Sequence, residues 1–441
     1  SVFSQCCKFI SAVSKDTMHN ARMSPAAAAI ACCLVTHFVS ATDWPRFRGA
    51  DGGSSVPNAE VPLTWTATDN ILWKTELNGH GSSSPVIFGD HLYLTSFTGY
   101  GLDPDAPGNR EDLELHVLCF DRNSGKPLWD KAMKASPAEQ EATRRVVDHG
   151  YATGTPACDD RAVYAYFGVS GLAAYSHDGE LLWKVPTGER TAGFGSAASP
   201  ILFGDLVIMN ASIEAGAVIA FNKQTGSEAW RIEGVRKSWT TPLVSQSADG
   251  RSELIVSYEM EVRGFDPQTG SELWTCEGIQ DYVVPCVVAH DGIAYVLGGR
   301  KNQSMAIRLG GSGDVTETHR LWETNIGANV TSPVYHDGHL YWISDRGIAN
   351  CLDAATGSEV YRERVDTKER VYASTLLAGD RMYLTTRENG VFVIAVGPEY
   401  KELAHNRIDG DDSLYNATPV ADGGRLLFRT NRFLYCIGTS P

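Results

Sequence analysis

No two of the chain's 10 cysteines are spaced as Cys-x-x-Cys. No histidine stands at zinc spacing from a cysteine pair either, which excludes a zinc ribbon or finger. There is no Gly-x-Ser-x-Gly elbow, no phosphate loop of the Gly-x-x-x-x-Gly-Lys kind and no His-Glu-x-x-His. The hydrolase, nucleotide-triphosphatase and metalloprotease readings that rest on those motifs fall with them. Basic residues are scarce, with 38 Lys and Arg against 53 Asp and Glu and a net charge of −15. A phosphate backbone needs clustered cations on one face, so nucleic acid is excluded as a partner. Past residue 41 no apolar run is long enough for a membrane-spanning helix.

What the N-terminus does contain is a targeting pattern. His19 to Arg22 gives a short positive region, and residues 26–39 form an apolar run broken only by Thr36 and His37. Val39-Ser40-Ala41 then offers small or β-branched residues for cleavage after Ala41. The expectation is a secretory signal ending there, started at Met18 or Met23, with residues 1–17 as upstream sequence. The mature chain then begins near Thr42 and works in the periplasm or outside the cell. A second reading makes Cys32, after Ala29-Ile30-Ala31, a lipid-attachment cysteine. Six cysteines follow the cut: Cys119, Cys158, Cys276, Cys286, Cys351 and Cys436. An exported chain permits disulfides. But Cys119, Cys351 and Cys436 fall at one strand position in three repeats, as buried apolar thiols would.

An internal repeat decides the fold. A small residue, proline and an apolar residue recur as Ser84-Pro85-Val86, Thr155-Pro156-Ala157, Ser199-Pro200-Ile201, Thr241-Pro242-Leu243, Ser332-Pro333-Val334 and Thr418-Pro419-Val420. Val284-Pro285-Cys286 and Ser374-Thr375-Leu376 read as degenerate copies. After each comes an Asp/Gly turn suited to positive φ, then an apolar strand such as His339-Leu-Tyr-Trp-Ile343. A third strand ends in Phe-Asp or a variant, and a fourth carries tryptophan. The fullest copy is Phe265-Asp266-Pro-Gln-Thr269-Gly270-Ser-Glu-Leu-Trp274; Trp129, Trp183, Trp230 and Trp322 take the same place. Four short strands per forty-odd residues make one propeller blade, and blades need neighbours to cover their faces. The expected fold is all-β: an eight-bladed propeller of four-stranded antiparallel blades, forming a single domain over residues 42–441. The blades run over about residues 82–131, 152–186, 197–234, 239–277, 283–325, 330–365, 371–408 and 415–438. The last lacks a fourth strand, which residues 70–77 with Trp73 supply, so the ends of the chain close the ring and leave no edge. The six tryptophans are expected to be structural, and Trp65, outside the repeat, to matter less.

The Phe-Asp-x-x-Thr-Gly-x-x-x-Trp pattern resembles the pyrroloquinoline-quinone (PQQ)-like repeats of quinoprotein dehydrogenases and of BamB-type outer-membrane assembly lipoproteins. Trp44-Pro-Arg-Phe-Arg-Gly49 is similar to the opening of secreted bacterial members. The resemblance spans residues 44–440 and implies the propeller, while leaving activity open. Dehydrogenases of this kind hold PQQ and Ca²⁺ beneath an adjacent cysteine pair, with a catalytic Asp. The mature sequence has no such pair and no ligand set that aligns. The expectation is therefore a monomeric, non-enzymatic binding or scaffold propeller of the cell envelope without a cofactor, its partner an envelope protein or a small acidic ligand. The alternative is a PQQ- and calcium-dependent oxidoreductase.

Two site expectations follow. The loop at Asp103, Asp105, Glu111 and Glu114, with Gly108, has the spacing of a Ca²⁺ loop of EF-hand type, against a reading as a solvated acidic loop. Ser136-Pro137-Ala138-Glu139 reads as a capping box that opens a short helix over residues 137–148. The second expectation is a ligand rim. Strand direction alternates, so fourth-to-first and second-to-third loops share one face, where His80, His149, Tyr151, Phe194, Lys237, Trp239, Asp281, Tyr282, Asn329, Arg370, Tyr372, Tyr415 and Asn416 fall. The turns add Arg300, Lys301, Asp345, Arg346, Arg387, Glu388 and Arg432. Its cations favour a carboxylate-bearing ligand, against a reading as ordinary polar loops around a water-filled channel.

Overall fold

Eight antiparallel sheets follow one another along the chain in the computed structural model, which describes residues 43–139 and 148–439. The signal segment, Cys32, and most of the helix expected over residues 137–148 lie outside those residues. Blade 1 shows the pattern: Val86–Phe88, His91–Thr98, Glu114–Asp121 and Pro127–Lys134, each paired with the next. Blades 2 to 7 repeat it. In blade 8 the strands Val420–Asp422, Arg425–Arg429 and Phe433–Ile437 take Ile71–Glu76 as their fourth, with Trp73 opposite Cys436. The alternation that makes strands is visible in the burial. Second and third strands such as Leu206–Ala211 are buried on both faces, while fourth strands such as Pro127–Lys134 alternate exposed and half-buried. A blade lies between two neighbours, so its middle strands are covered twice and its outer strand faces water.

Two sets of contacts explain the repeat's letters. First strands of successive blades touch, so they form the inner edge. There the Ser/Thr of the Ser/Thr-Pro motif accepts, through its hydroxyl, the backbone N–H of the matching residue one blade earlier. Ser84 donates to Thr155, Thr155 to Ser199, Ser199 to Thr241, Cys286 to Ser332, Ser332 to Ser374 and Ser374 to Thr418, all at 2.9–3.0 Å. The belt corrects one alignment. In blade 5 Cys286 stands at the Ser/Thr position, and Val288 pairs with Tyr295 as Val86 does with Tyr93. Val284-Pro285 therefore precedes the motif; proline sits two residues early because only the N–H donor is needed at Cys286.

At the outer edge the tryptophan of one blade is latched onto the Asp-x-x-Thr-Gly turn of the next. Trp129, Trp183 and Trp322 donate Nε1–H to the carbonyls of His177, Lys223 and Ala354, at 2.8–2.9 Å. A Cβ placed on the turn glycines Gly125, Gly179, Gly226, Gly270 or Gly357 would come within 2.3–2.9 Å of the rings of Trp73, Trp129, Trp183, Trp230 and Trp322. Glycine lets the ring lie on the backbone, and the turn's Asp or Asn fixes it by accepting the N–H two or three residues on. These five tryptophans are half-buried. Trp274, in the fullest sequence copy, is the exception: it is fully buried, its Nε1–H donates to Glu253 at 2.7 Å, and Gly313–Asp314 adds a fifth, parallel strand outside it. Trp65 also departs from expectation. It is buried, stacked on Tyr383 at 6.3 Å, and its N–H donates to Asn406. The stretch before the first full blade packs on blade 7 instead of trailing free.

That stretch has a second role. Trp44 pairs with Ile87 of blade 1, the Pro45 carbonyl accepts from Cys158 of blade 2, and Arg48 donates to the Pro333 carbonyl of blade 6. Ser55–Val56 then adds a parallel strand to Leu376–Ala378 of blade 7. Residues 44–56 thus cross the ring along its inner edges. Open edges pair with whatever strand reaches them, and here the chain's own segment does. The seam between blades 8 and 1 is polar: buried Asp422 accepts from Arg122 at 2.5 Å, and buried Arg429 donates to the Ser83 carbonyl at 2.9 Å. The six cysteines are free and buried.

Candidate functional site

The loops between blades bring the expected rim residues into two groups. In the first, Asp148, from the long connection between blades 1 and 2, reaches blades 7 and 8. Its carboxylate pairs with Arg387 at 3.5 Å and accepts from the Tyr372 hydroxyl at 3.4 Å, and its backbone carbonyl accepts from Asn416 Nδ2 at 3.0 Å. The Arg387 guanidinium lies over the Tyr372 ring, and Arg370 donates to the Tyr372 hydroxyl. This network ties the insertion across the ring to the far blades, so it braces that side of the face.

The second group is open. Trp239 donates Nε1–H to the Gly195 carbonyl at 2.7 Å and meets Tyr282 edge-on at 6.1 Å. The Arg300 guanidinium stands 5.1 Å from the Tyr282 ring centre, and its backbone N–H donates to Asp281. Beside them Phe194 is 44% and Met260 51% exposed, the latter in the turn that carries Glu259. Lys237 pairs with Glu259. Aromatics, methionine and arginine are the residue types enriched where proteins dock.

Several expected rim residues serve packing instead. Tyr151 is buried against Phe97 and Tyr100, and Tyr415 is buried 5.3 Å from Phe428. Large rings beside the first strands fill the space between blades rather than stand at the mouth. His149 bonds Thr153, and burial together with Arg429 and Arg432 lowers the pKa of His80. Asn329 is half-buried. Lys237 and Arg387 are both neutralised within the chain, so the cation-rich mouth expected for an acidic ligand is reduced to Arg300, Arg370 and their neighbours.

The acidic loop does not assemble. Among the described residues no three His, Cys, Asp or Glu side chains gather as a metal site. Asp103 accepts from the Asp105 N–H, a local turn, and Glu114 opens a strand and pairs with Lys134 at 3.2 Å. Regular β-pairing from Glu114 onward draws the closing carboxylate away from the loop.

Two concave features escaped sequence reasoning. One is a small cleft among Glu139, Gly150, Tyr151, Tyr166, Gly168 and Ser196. Next to it the Ser196 hydroxyl donates to buried Glu214, whose carboxyl is pushed above its usual range by burial. A lone Glu in a turn gives no sequence signal of burial. The other is a small cleft among Arg46, Phe47, Arg48, Gly52, Thr241, Leu243 and Cys286, where the crossing segment meets blades 4 and 5.

A family model described as outer membrane protein assembly factor BamB matches residues 113–281 and 258–431. Among solved structures the chain is similar to BamB from Moraxella catarrhalis, with 13% identity and a TM-score of 0.57, over 83% of this chain and 98% of that one. It is also similar to a europium-containing methanol dehydrogenase, with 10% identity and a TM-score of 0.59, over 88% and 99%. A computationally designed protein, Ika8, matches at 13% identity and a TM-score of 0.56, over 83% and 99%. At these identities the likeness is one of fold. No curated protein matches. No helix among the described residues is long and apolar enough to cross a membrane.

Proposed function

Because the chain belongs to the PQQ-like repeat family whose model is described as outer membrane protein assembly factor BamB, we propose that it is a non-enzymatic docking propeller of the cell envelope. It holds a protein partner on the loops of blades 2 to 5. The observation that carries this reading is the patch of Phe194, Trp239, Met260, Tyr282 and Arg300. Two large apolar side chains stand out in water there, beside Trp239, which its own hydrogen bond holds in place, and Tyr282, which lies under an arginine. Rigid aromatic anchors lose little entropy on docking, and such residues carry most of an interface's energy. In the opposite group Arg387 is spent on Asp148, and that network braces the insertion between blades 1 and 2.

No specific observation favours the quinoprotein reading over this one. The six thiols past residue 41 are separate and buried. Residues 44–56 also run along the inner edges of the ring.

The test is capture of partners from envelope extract by the purified protein. The triple variant Phe194→Ala, Met260→Ala, Arg300→Ala should lose the captured partner. Leu128→Ala and Leu181→Ala, exposed on outer strands, should keep it. Equal capture by both variants would refute the docking face.

A further inference from the structure

The cleft at the crossing segment collects hydrogen-bond donors without acceptors. Arg48 is 2% exposed; its Nε donates to the Gly52 carbonyl at 2.9 Å and its Nη2 to the carbonyls of Gly53 and Pro333, while Nη1 has no partner. Arg46 stands next to it, tied by Nε to the Ala50 carbonyl at 3.2 Å, with its guanidinium over Gly52. Neither makes an ion pair among the described residues. Cys286 and Asp51 act on both from a distance, and an oxygen of Asp51 is taken by the Gly53 N–H. Arginine is almost never fully buried unless paired, and an unpaired buried charge costs several kcal/mol. Here two like charges share one wall.

The opposite wall has a gap of its own. Thr241 stands at one of the two steps of the ring where the hydroxyl belt breaks, because the next blade presents Cys286 in place of Ser or Thr; the other is from Thr418 to Ser84. Thr241 Oγ already accepts from Ser199, so its hydroxyl proton is left to donate, and its N–H faces no hydroxyl in blade 5. Both walls line the same small cleft. Two guanidinium groups and a threonine around a space without a carboxylate make the complement of an oxyanion.

We propose that the cleft between Arg46, Arg48 and Thr241 binds a small tetrahedral oxyanion of the phosphate or sulfate class, which neutralises the buried guanidinium and fixes the crossing segment in the ring. This is independent of the docking face, which lies on the loops of blades 2 to 5.

The probe is inorganic phosphate, titrated against the purified full chain at constant ionic strength held with sodium chloride, with the melting temperature and calorimetric heat read together. A ligand that binds only the folded state raises stability in a saturable way. The wild type should show a saturable rise. Arg46→Gln should raise Kd at least about tenfold, the loss of one charge-assisted contact. Its side chain is half-buried and tied to a carbonyl of its own turn. Cys286→Ser restores a hydroxyl to the belt, gives Thr241 N–H a partner, and should weaken phosphate binding without lowering the melting temperature in its absence. Sulfate should compete with phosphate in the wild type. A rise that is the same in the wild type and both variants, or no saturable rise in the wild type, overturns the site.

Discussion

Gly226 is where the latch between blades can be measured. Its φ is +71°, and a Cβ there would stand 2.8 Å from Trp183 Cδ2, 2.9 Å from Cε3 and 3.1 Å from Val185 Cγ1. Gly226→Ala therefore has two separable effects. Holding a residue with a Cβ in the left-handed region costs roughly 1–2 kcal/mol. Displacing the ring, whose Nε1–H donates to the Lys223 carbonyl at 2.9 Å, adds roughly 1–3 kcal/mol of overpacking and a lengthened hydrogen bond. The expected total is about 2–5 kcal/mol. Gly250→Ala separates the two, since Gly250 has a φ of +84° and nothing within 4 Å of a Cβ; it should lose only the conformational part, about 1–2 kcal/mol. The assay is urea unfolding followed by far-ultraviolet circular dichroism, comparing midpoints at unchanged slope. In a Trp183→Ala background the ring is gone, and the cost of Gly226→Ala should fall toward the Gly250→Ala value, with only the Val185 Cγ1 contact left. Equal losses in the two glycine variants of the wild type, or strict additivity with Trp183→Ala, would refute the latch.

Two further expectations concern closure and pH. A chain beginning at Ser82 loses both the crossing segment and Ile71–Glu76, leaving Phe433–Ile437 as an unpaired edge; it should aggregate or melt far below the full chain, and equal melting temperatures in scanning calorimetry would refute ring closure by that strand. Burial raises the carboxyl pKa of Glu214, so its folded-state value lies above the ordinary 4.5. Stability from this group is then fully present below the unfolded value and is lost as pH rises through the folded one. Glu214→Gln should be more stable than the wild type at pH 7, with the gain vanishing by about pH 4; urea midpoints across pH would show it, and a gain that grows on acidification would contradict the assignment.

The repeat made the fold legible because every letter of it acts between neighbours. Ser84 and Thr155, or Trp183 and Gly226, meet only because each blade repeats its predecessor, so a period of forty-odd residues carries the contact as well as the strand. The degenerate copy misled by two residues at Val284-Pro285. Proline is the conspicuous letter there, whereas the geometry keeps only the N–H donor at Cys286. Trp65 misled for a related reason, since no periodic partner announced Tyr383.

The sequence by itself determined the class, the number of blades and the strand that closes the ring. The class, the blade count and the closing strand follow from alternation, turn chemistry and period, all of which are local. Only the tertiary structure decided what those loops and ends touch. Asp148 reaches Tyr372 and Asn416 across more than half the chain, and Arg48 reaches Pro333. Lys237 and Arg387 look like free cations in sequence and are paired in space. A contact between residues hundreds of positions apart has no period to betray it. It depends on where a closed ring happens to place two loops, and that is fixed only when all eight blades have packed.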